Sequence, residues 1–394
     1  MVNEYQLQQF WQSDYCRHSH LQTLCGQSVR VEHPGIHNRN QGPDFINADL
    51  KIDRIRWVGN IEIHCRTSDW FRHHHQYDTL YSSIVLHVVW DNDDHHFYGA
   101  PVLVLSHFFA PEVIVRYGEQ AEWNITDRLS GAHVSEWARK RLKRKLDHFN
   151  QATDTETIRA GALFWSSLFR SIGGPVNAES FYALHGTVPQ VCFRPNALSH
   201  EVKESMLFGQ SRLLVPLAKE LYPRTLNHLY GICSREFKLK PIFESMYFLR
   251  MRPMGFPTVR LAQLSSVMHH HVSLPDQAIE SHLHELEWLF QQVKTTGYWD
   301  NHFLFDKPTE KIPKVLWPAV IHRIMINTIF PWRCMIKSNG NVAKTLKLWE
   351  NMLVQYSAES NGVIDWMNKW GAHPNNAFES QGLLEVYRSF SSSN

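Results

Sequence analysis

A change of hydrophobic period near residue 125 is the feature that most constrains this sequence. Before it, apolar and polar residues alternate as on strands; after it, apolar residues recur at the spacing of helix faces. Residues 4–13 predict one amphipathic helix, with Leu7, Phe10 and Trp11 as its buried stripe. Strands are expected over 27–33, over 45–53 with Ile46, Ala48, Leu50 and Ile52 on one face, and over 55–65 with Trp57, Ile61 and Ile63 together. A helix over 70–81 and buried strands over 84–90 and 102–105 follow. Helical periods then fill 135–149, 157–172, 178–185, 199–208, 279–293 and 318–329, with prolines interrupting them. A chain of 394 residues, 43% hydrophobic, is long enough for two domains. The expectation is an α+β protein, with a mixed sheet flanked by helices over residues 1–125 and a mostly α-helical region over 126–394.

Charge and cysteines narrow the classes of function. Forty Lys and Arg against 38 Asp and Glu leave a net charge of +2, so only local clusters can argue for a polyanionic partner. Cys16, Cys25, Cys65, Cys192, Cys233 and Cys334 form no CxxC pair, which argues against a disulfide framework or a zinc ribbon and for a reducing compartment. The polar start of the chain does not read as a secretory leader, and no stretch reaches the roughly 18 apolar residues of a membrane span. A cytoplasmic location with no membrane partner is expected. P-loop, dinucleotide-turn and GxSxG patterns are missing.

Two carboxylates carry the chemistry. Gly42-Pro43-Asp44-Phe45 is followed by Glu62-Ile63-His64 on the next predicted strand. Strand alternation puts Glu62, His64 and Arg66 on one face and Ile61, Ile63 and Cys65 on the other. Asp44 and Glu62, with the Ile63 carbonyl, offer the oxygen ligands that Mg or Mn takes, leaving room for water and a substrate phosphate. His64 would orient or deprotonate the attacking water. The alternative is that Asp44 opens a turn after Pro43, with Glu62 and His64 on a solvated strand face.

The residues from Pro34-Gly35 through Gly42-Pro43-Asp44-Phe45, Asn47-Ala48, Gly59-Asn60-Ile61-Glu62-Ile63-His64, Ser68-Asp69-Trp70, His73, His75, Asp78, Tyr81 and Leu86-His87-Val88-Val89 resemble an uncharacterised bacterial protein family, domain-of-unknown-function family 2851. Leu207-Phe208-Gly209-Gln210, Phe256 to Leu264 and Ile326 to Pro331 extend that resemblance over nearly the whole chain. A more distant resemblance is to the PD-(D/E)XK nuclease superfamily, with Pro43-Asp44 standing for PD, Glu62-x-His64 for (D/E)-x-K, and Glu4 for a leading acid. It implies a nuclease-like sheet and a metal-dependent phosphodiesterase acting on DNA or RNA, in which Asp44, Glu62 and His64 are catalytic and Asp44 and Glu62 hold Mg or Mn. His64 stands where that superfamily has lysine and lacks its fixed charge, which Lys51 or Arg66 could supply. A noncatalytic nucleic-acid- or protein-binding module with the same architecture is the competing expectation.

Two further clusters are candidates. His73, His75 and Asp78 have transition-metal ligand types, although on one continuous helix His75 faces Asp78 while His73 faces Tyr77, so a zinc site from this run is strained. His73 and His75 are also read as phosphate contacts beside Arg66 and Lys51. His87, between Leu86 and Val88, reads as a hydrogen-bonded core histidine, and His95-His96 and His269-His270-His271 as exposed ones. Arg139, Lys140, Arg141, Lys143, Arg144 and Lys145 make the densest basic run, either a phosphate-tracking helix or a solvated face above buried Trp137, Leu142 and Leu146.

Overall fold

The computed structural model describes residues 2–17, 19–38, 41–94, 99–116, 131–150, 157–248, 251–368 and 371–392, and the chain divides into two compact units. The first comprises Met1–His133 with Val386–Asn394, and the second Val134–Glu385. The fold is mixed α+β. Among the described residues no helix is long and apolar enough to cross a membrane.

In the first unit, helix α1 (Glu4–Gln12) starts at a reciprocal cap, the Asn3 side chain accepting from Gln6 N–H and the Gln6 side chain from Asn3 N–H. Its predicted stripe of Leu7, Phe10 and Trp11 is fully buried. A short helix α2 (Asp14–Arg17) precedes a seven-stranded sheet of β1 (Leu21–Gln22), β2 (Ser28–His33), β3 (Ile36–His37), β4 (Phe45–Ile52), β5 (Ile55–Arg66), β6 (Ile84–Asp91) and β7 (Val102–Val104). The order is β1-β2-β4-β5-β6-β7, with β3 paired to β4. Pairing is antiparallel as far as β5, then parallel from β5 to β6 and β6 to β7. Ile61, Ile63, Leu86 and Val88 pack with α1 in the main core, while Trp70, Val89, Val102 and Val104 form a smaller cluster.

Two sheet expectations need correction. Asn47 adopts φ +57° where the β4–β5 register shifts, and this extra residue reverses the side-chain phase. Phe45, Ala48, Leu50 and Ile52 are therefore the buried set, with Ile46 only half-buried. Trp57 does not share a buried face with Ile61 and Ile63; it is 42% exposed, because β5 runs outward into the hairpin closed at Asp53-Arg54.

The predicted helix over 70–81 is broken up. Helix α3 (Asp69–Arg72) ends, His74 takes a left-handed φ of +60°, and two 3₁₀ turns follow at His75–Tyr77 and Thr79–Tyr81. Asp78 caps the second turn through Leu80 N–H, at 3.0 Å.

The second unit is built from helices around one large apolar core. The stretch 279–293 is two helices, Leu274–Glu280 and Leu283–Gln291, separated where His282 and Glu285 cap the second. The expected helix over 318–329 extends to Lys337 through a π turn at Met325–Ile329. Pro331 has no N–H for the Asn327 carbonyl, which is taken by the Ser167 hydroxyl at 2.9 Å.

Gly59 marks the closest approach of β5 to β6: a Cβ there would lie 2.3 Å from Val85 Cγ1 and 2.8 Å from the Ser83 carbonyl oxygen. Gly59→Ala should cost about 1–3 kcal/mol by overpacking, read by chemical denaturation. A change below about 0.5 kcal/mol would show the strands can separate freely there.

Candidate metal centre

Glu62 and His64 point from β5 toward the smaller cluster, as strand alternation requires, and both are buried. Asp44, at the mouth of β4, is buried beside them. Its backbone N–H donates to Glu62 Oε2 at 3.1 Å, and its Oδ2 accepts from Ile63 N–H at 2.9 Å. Gln8 of α1 donates to Asp44 Oδ1 at 3.0 Å. Asp44 and Glu62 thus do meet, and Asp44 ties α1, β4 and β5 together.

The other Glu62 oxygen faces histidines. Oε1 lies 3.4 Å from His64 Nε2 and 3.3 Å from His75 Nε2. His73 Nδ1 lies 3.2 Å from His64 Nε2, and the ligand atoms of His64, His73 and His75 all fall within 4.8 Å of one another. The left-handed turn at His74 makes this possible. It directs both neighbours of His74 to one point, where a continuous helix would splay them apart.

Three imidazoles therefore come within ligand reach of one another, and one carboxylate oxygen lies against two of them, His64 and His75. Bonds of about 2.1 Å in a tetrahedron imply donor separations of about 3.4 Å, close to the shortest contacts here. His75 Nε2, buried against Glu62 Oε1, makes no hydrogen bond among the described residues, and a cation would satisfy such an atom. The residues fit a metal, and nitrogen-rich donors suit zinc or a comparable transition ion better than magnesium.

The neighbours tune these donors. His87, on β6 opposite Glu62, shares a 2.9 Å hydrogen bond between its Nε2 and His64 Nδ1. With the proton on His64 Nδ1, the His64 Nε2 lone pair is directed at the cluster. Tyr81 stacks on the His75 ring at 3.8 Å, and Trp70 meets the same ring edge-on at 5.4 Å. Burial, followed by the charge of His87, pushes His64 down to about 2. Burial and then His75 push His87 down to about 3. Burial also lowers His73 and His75, with Asp44, Asp78 and Glu4 working in the opposite direction at His75. All four rings are consequently neutral near pH 7, the state in which imidazole binds a metal.

Other predicted residues stay outside this group. Arg66, at the end of β5, is exposed, and its backbone N–H donates to Asp69. Lys51 is exposed about 20 Å along β4 from Asp44. Asp78 serves as a turn cap. The cation that bears on His64 and His73 is Arg72, paired with Asp69 at 2.6 Å. Sequence reasoning missed Arg72 and the approach of Glu62 to His75 as well as His64. Of the other histidines, His87 is the buried, hydrogen-bonded residue expected, and His95 and His96 lie outside the described residues. His269 and His271 are half-buried rather than exposed, with His269 stacked on His200 at 5.1 Å.

A family model described as protein of unknown function (DUF2851) matches residues 4–362. The chain belongs to that family. No curated protein and no solved structure matches it.

The lowered histidines set a pH response for the metal-free protein. The unfolded chain takes up these protons near pH 6.5, whereas folded His64 and His87 resist them until about 2 and 3. Stability should therefore fall as pH drops below 6.5, and His64 should show no imidazole protonation by NMR between pH 7.5 and about 4.5; titration within that range would contradict the buried neutral ring. His87→Phe should weaken zinc or manganese binding about 10–100-fold in calorimetry by removing the partner of His64 Nδ1. Unchanged affinity would show that His87 does not orient the ligand.

Proposed function

We propose that this protein is a metal-dependent phosphodiesterase, nuclease-like, acting on nucleic acid. The observation that carries the reading is the convergence of Glu62 with His64, His73 and His75, held in place by Asp44. The element order supports it: α1, antiparallel β2, β4 and β5, then parallel β6, with Asp44 at the start of β4 and Glu62-x-His64 inside β5. This is the order on which the resemblance to the PD-(D/E)XK superfamily rests. Six free thiols are consistent with a reducing cytoplasm.

Glu62, His64 and His75 would hold the cation, and Asp44 positions Glu62 and braces β4 against β5. A bound divalent metal supplies Lewis acidity toward a phosphodiester and lowers the pKa of water. His73 is the exposed histidine of the cluster, so its ring, if left off the metal, would be placed to accept a proton from water. Arg72 places a positive charge beside His64 and His73, and charge near a scissile phosphate is what the missing lysine would have contributed. The donor types favour zinc or manganese over magnesium.

One observation favours a second reading, a noncatalytic nucleic-acid- or protein-binding module of the same architecture. His64 is held neutral by burial, so the lysine position carries no charge.

Cleavage of single-stranded, duplex and branched DNA and of RNA should be assayed with magnesium, manganese and zinc. Glu62→Ala and His75→Ala should lose at least about 100-fold in rate, and the untagged protein should carry metal by elemental analysis. Equal cleavage by wild type and Glu62→Ala would remove the assignment; salt-dependent binding with no turnover would select the second reading.

A further inference from the structure

The second unit contains a cavity of about 290 Å³ whose walls include Arg141, Arg144, Lys145, Arg170, Arg323 and Tyr182. Five cations on one cavity call for compensation, and the carboxylates at hand supply only part of it. Glu385 is shared, receiving both Arg141 at 3.1 Å and Arg144 at 2.7 Å. Glu179 pairs with Arg170, and Glu359 acts at longer range on Arg141, Lys145 and Arg323. Among the described residues, four guanidinium groups and the buried Lys145 thus face three carboxylates.

The serine hydroxyls do not add free donors. Ser166 donates to the Leu163 carbonyl, Ser167 to that of Asn327, and Ser171 shares a hydrogen bond with Thr328. Donor capacity is left on the guanidinium groups. Arg323 uses its Nε on the Ser171 carbonyl at 2.7 Å, while its terminal nitrogens make no hydrogen bond to any described residue. They lie beside Gly174, whose φ of +71° and ψ of −175° break the helical range Thr157–Thr187 ahead of Pro175. A Cβ on Gly174 would come within 3.2 Å of Arg323 Nη2, so the kink leaves room for a guanidinium at the cavity wall. Burial and then the positive charge of Arg141 push Lys145 well below its ordinary range, a cost that an anion would relieve.

We infer that this cavity binds a small phosphomonoester, with Arg323 and Arg170 on the phosphate and the half-open Tyr182 ring and its apolar neighbours against the body of the ligand. Planar guanidinium forks match phosphate oxygens, and the volume sits at the small end of ligand pockets. The site lies entirely within the second unit and does not depend on the metal centre.

Calorimetry on the full chain would test this with inorganic phosphate, adenosine 5′-monophosphate and adenosine. Saturable binding of the monophosphate is expected, with adenosine inert and phosphate weaker. Arg323→Gln should weaken it about 10–100-fold, the loss of one charged hydrogen-bonding group. Arg170→Gln, near the rim and without a buried role, should weaken it less with an unchanged melting temperature, and Glu62→Ala should leave it intact. Binding absent at about 5 mM ligand, or unaltered in both arginine variants, would overturn the inference.

Discussion

The reciprocal hydrogen bonds between Asp44 and the Glu62-Ile63 segment are the constraint on which the first unit's site depends. Asp44 N–H holds one oxygen of Glu62, while the Asp44 carboxylate takes Ile63 N–H and the Gln8 amide. Glu62 is thereby fixed by one oxygen and left with the other facing imidazoles. Buried carboxylates are costly without such partners, and here the partners come from α1, β4 and β5 together. A loss of any one of these three elements would release the acid.

Burial has opposite consequences for the two chemistries in this pocket. It keeps His64, His73, His75 and His87 neutral, which makes them good donors toward a metal. The same neutrality removes the positive charge that lysine would place at His64. The positive charge near His64 and His73 is that of Arg72 on α3, which is paired with Asp69.

The helical unit uses charge differently. Its basic run is divided: Arg139, Lys140 and Lys143 are exposed, as a solvated face requires, with Arg139 paired to Glu350, whereas Arg141 and Arg144 share Glu385 and Lys145 reaches Asn327 and Gln381. Trp137 is only half-buried, Lys140 lying over its ring at 4.5 Å, whereas Leu142 and Leu146 form the buried side expected. Helical periodicity identifies which residues face inward, but the partners of the inward cations lie 182 to 244 residues away in sequence.

The sequence by itself determined the α+β class, the stripe of Leu7, Phe10 and Trp11, the alternation that separates Glu62 and His64 from Ile61 and Ile63, and the buried character of β6. These follow from local periods of about 3.6 and 2 residues, which any short window contains. Only the tertiary structure decided that His73 and His75 join Glu62 and His64. That convergence needs a left-handed backbone at His74, a conformation with no sequence period, and parallel pairing that brings His87 on β6 opposite Glu62 on β5. Helix spacing separates the two histidines, and a single reversed φ brings them together.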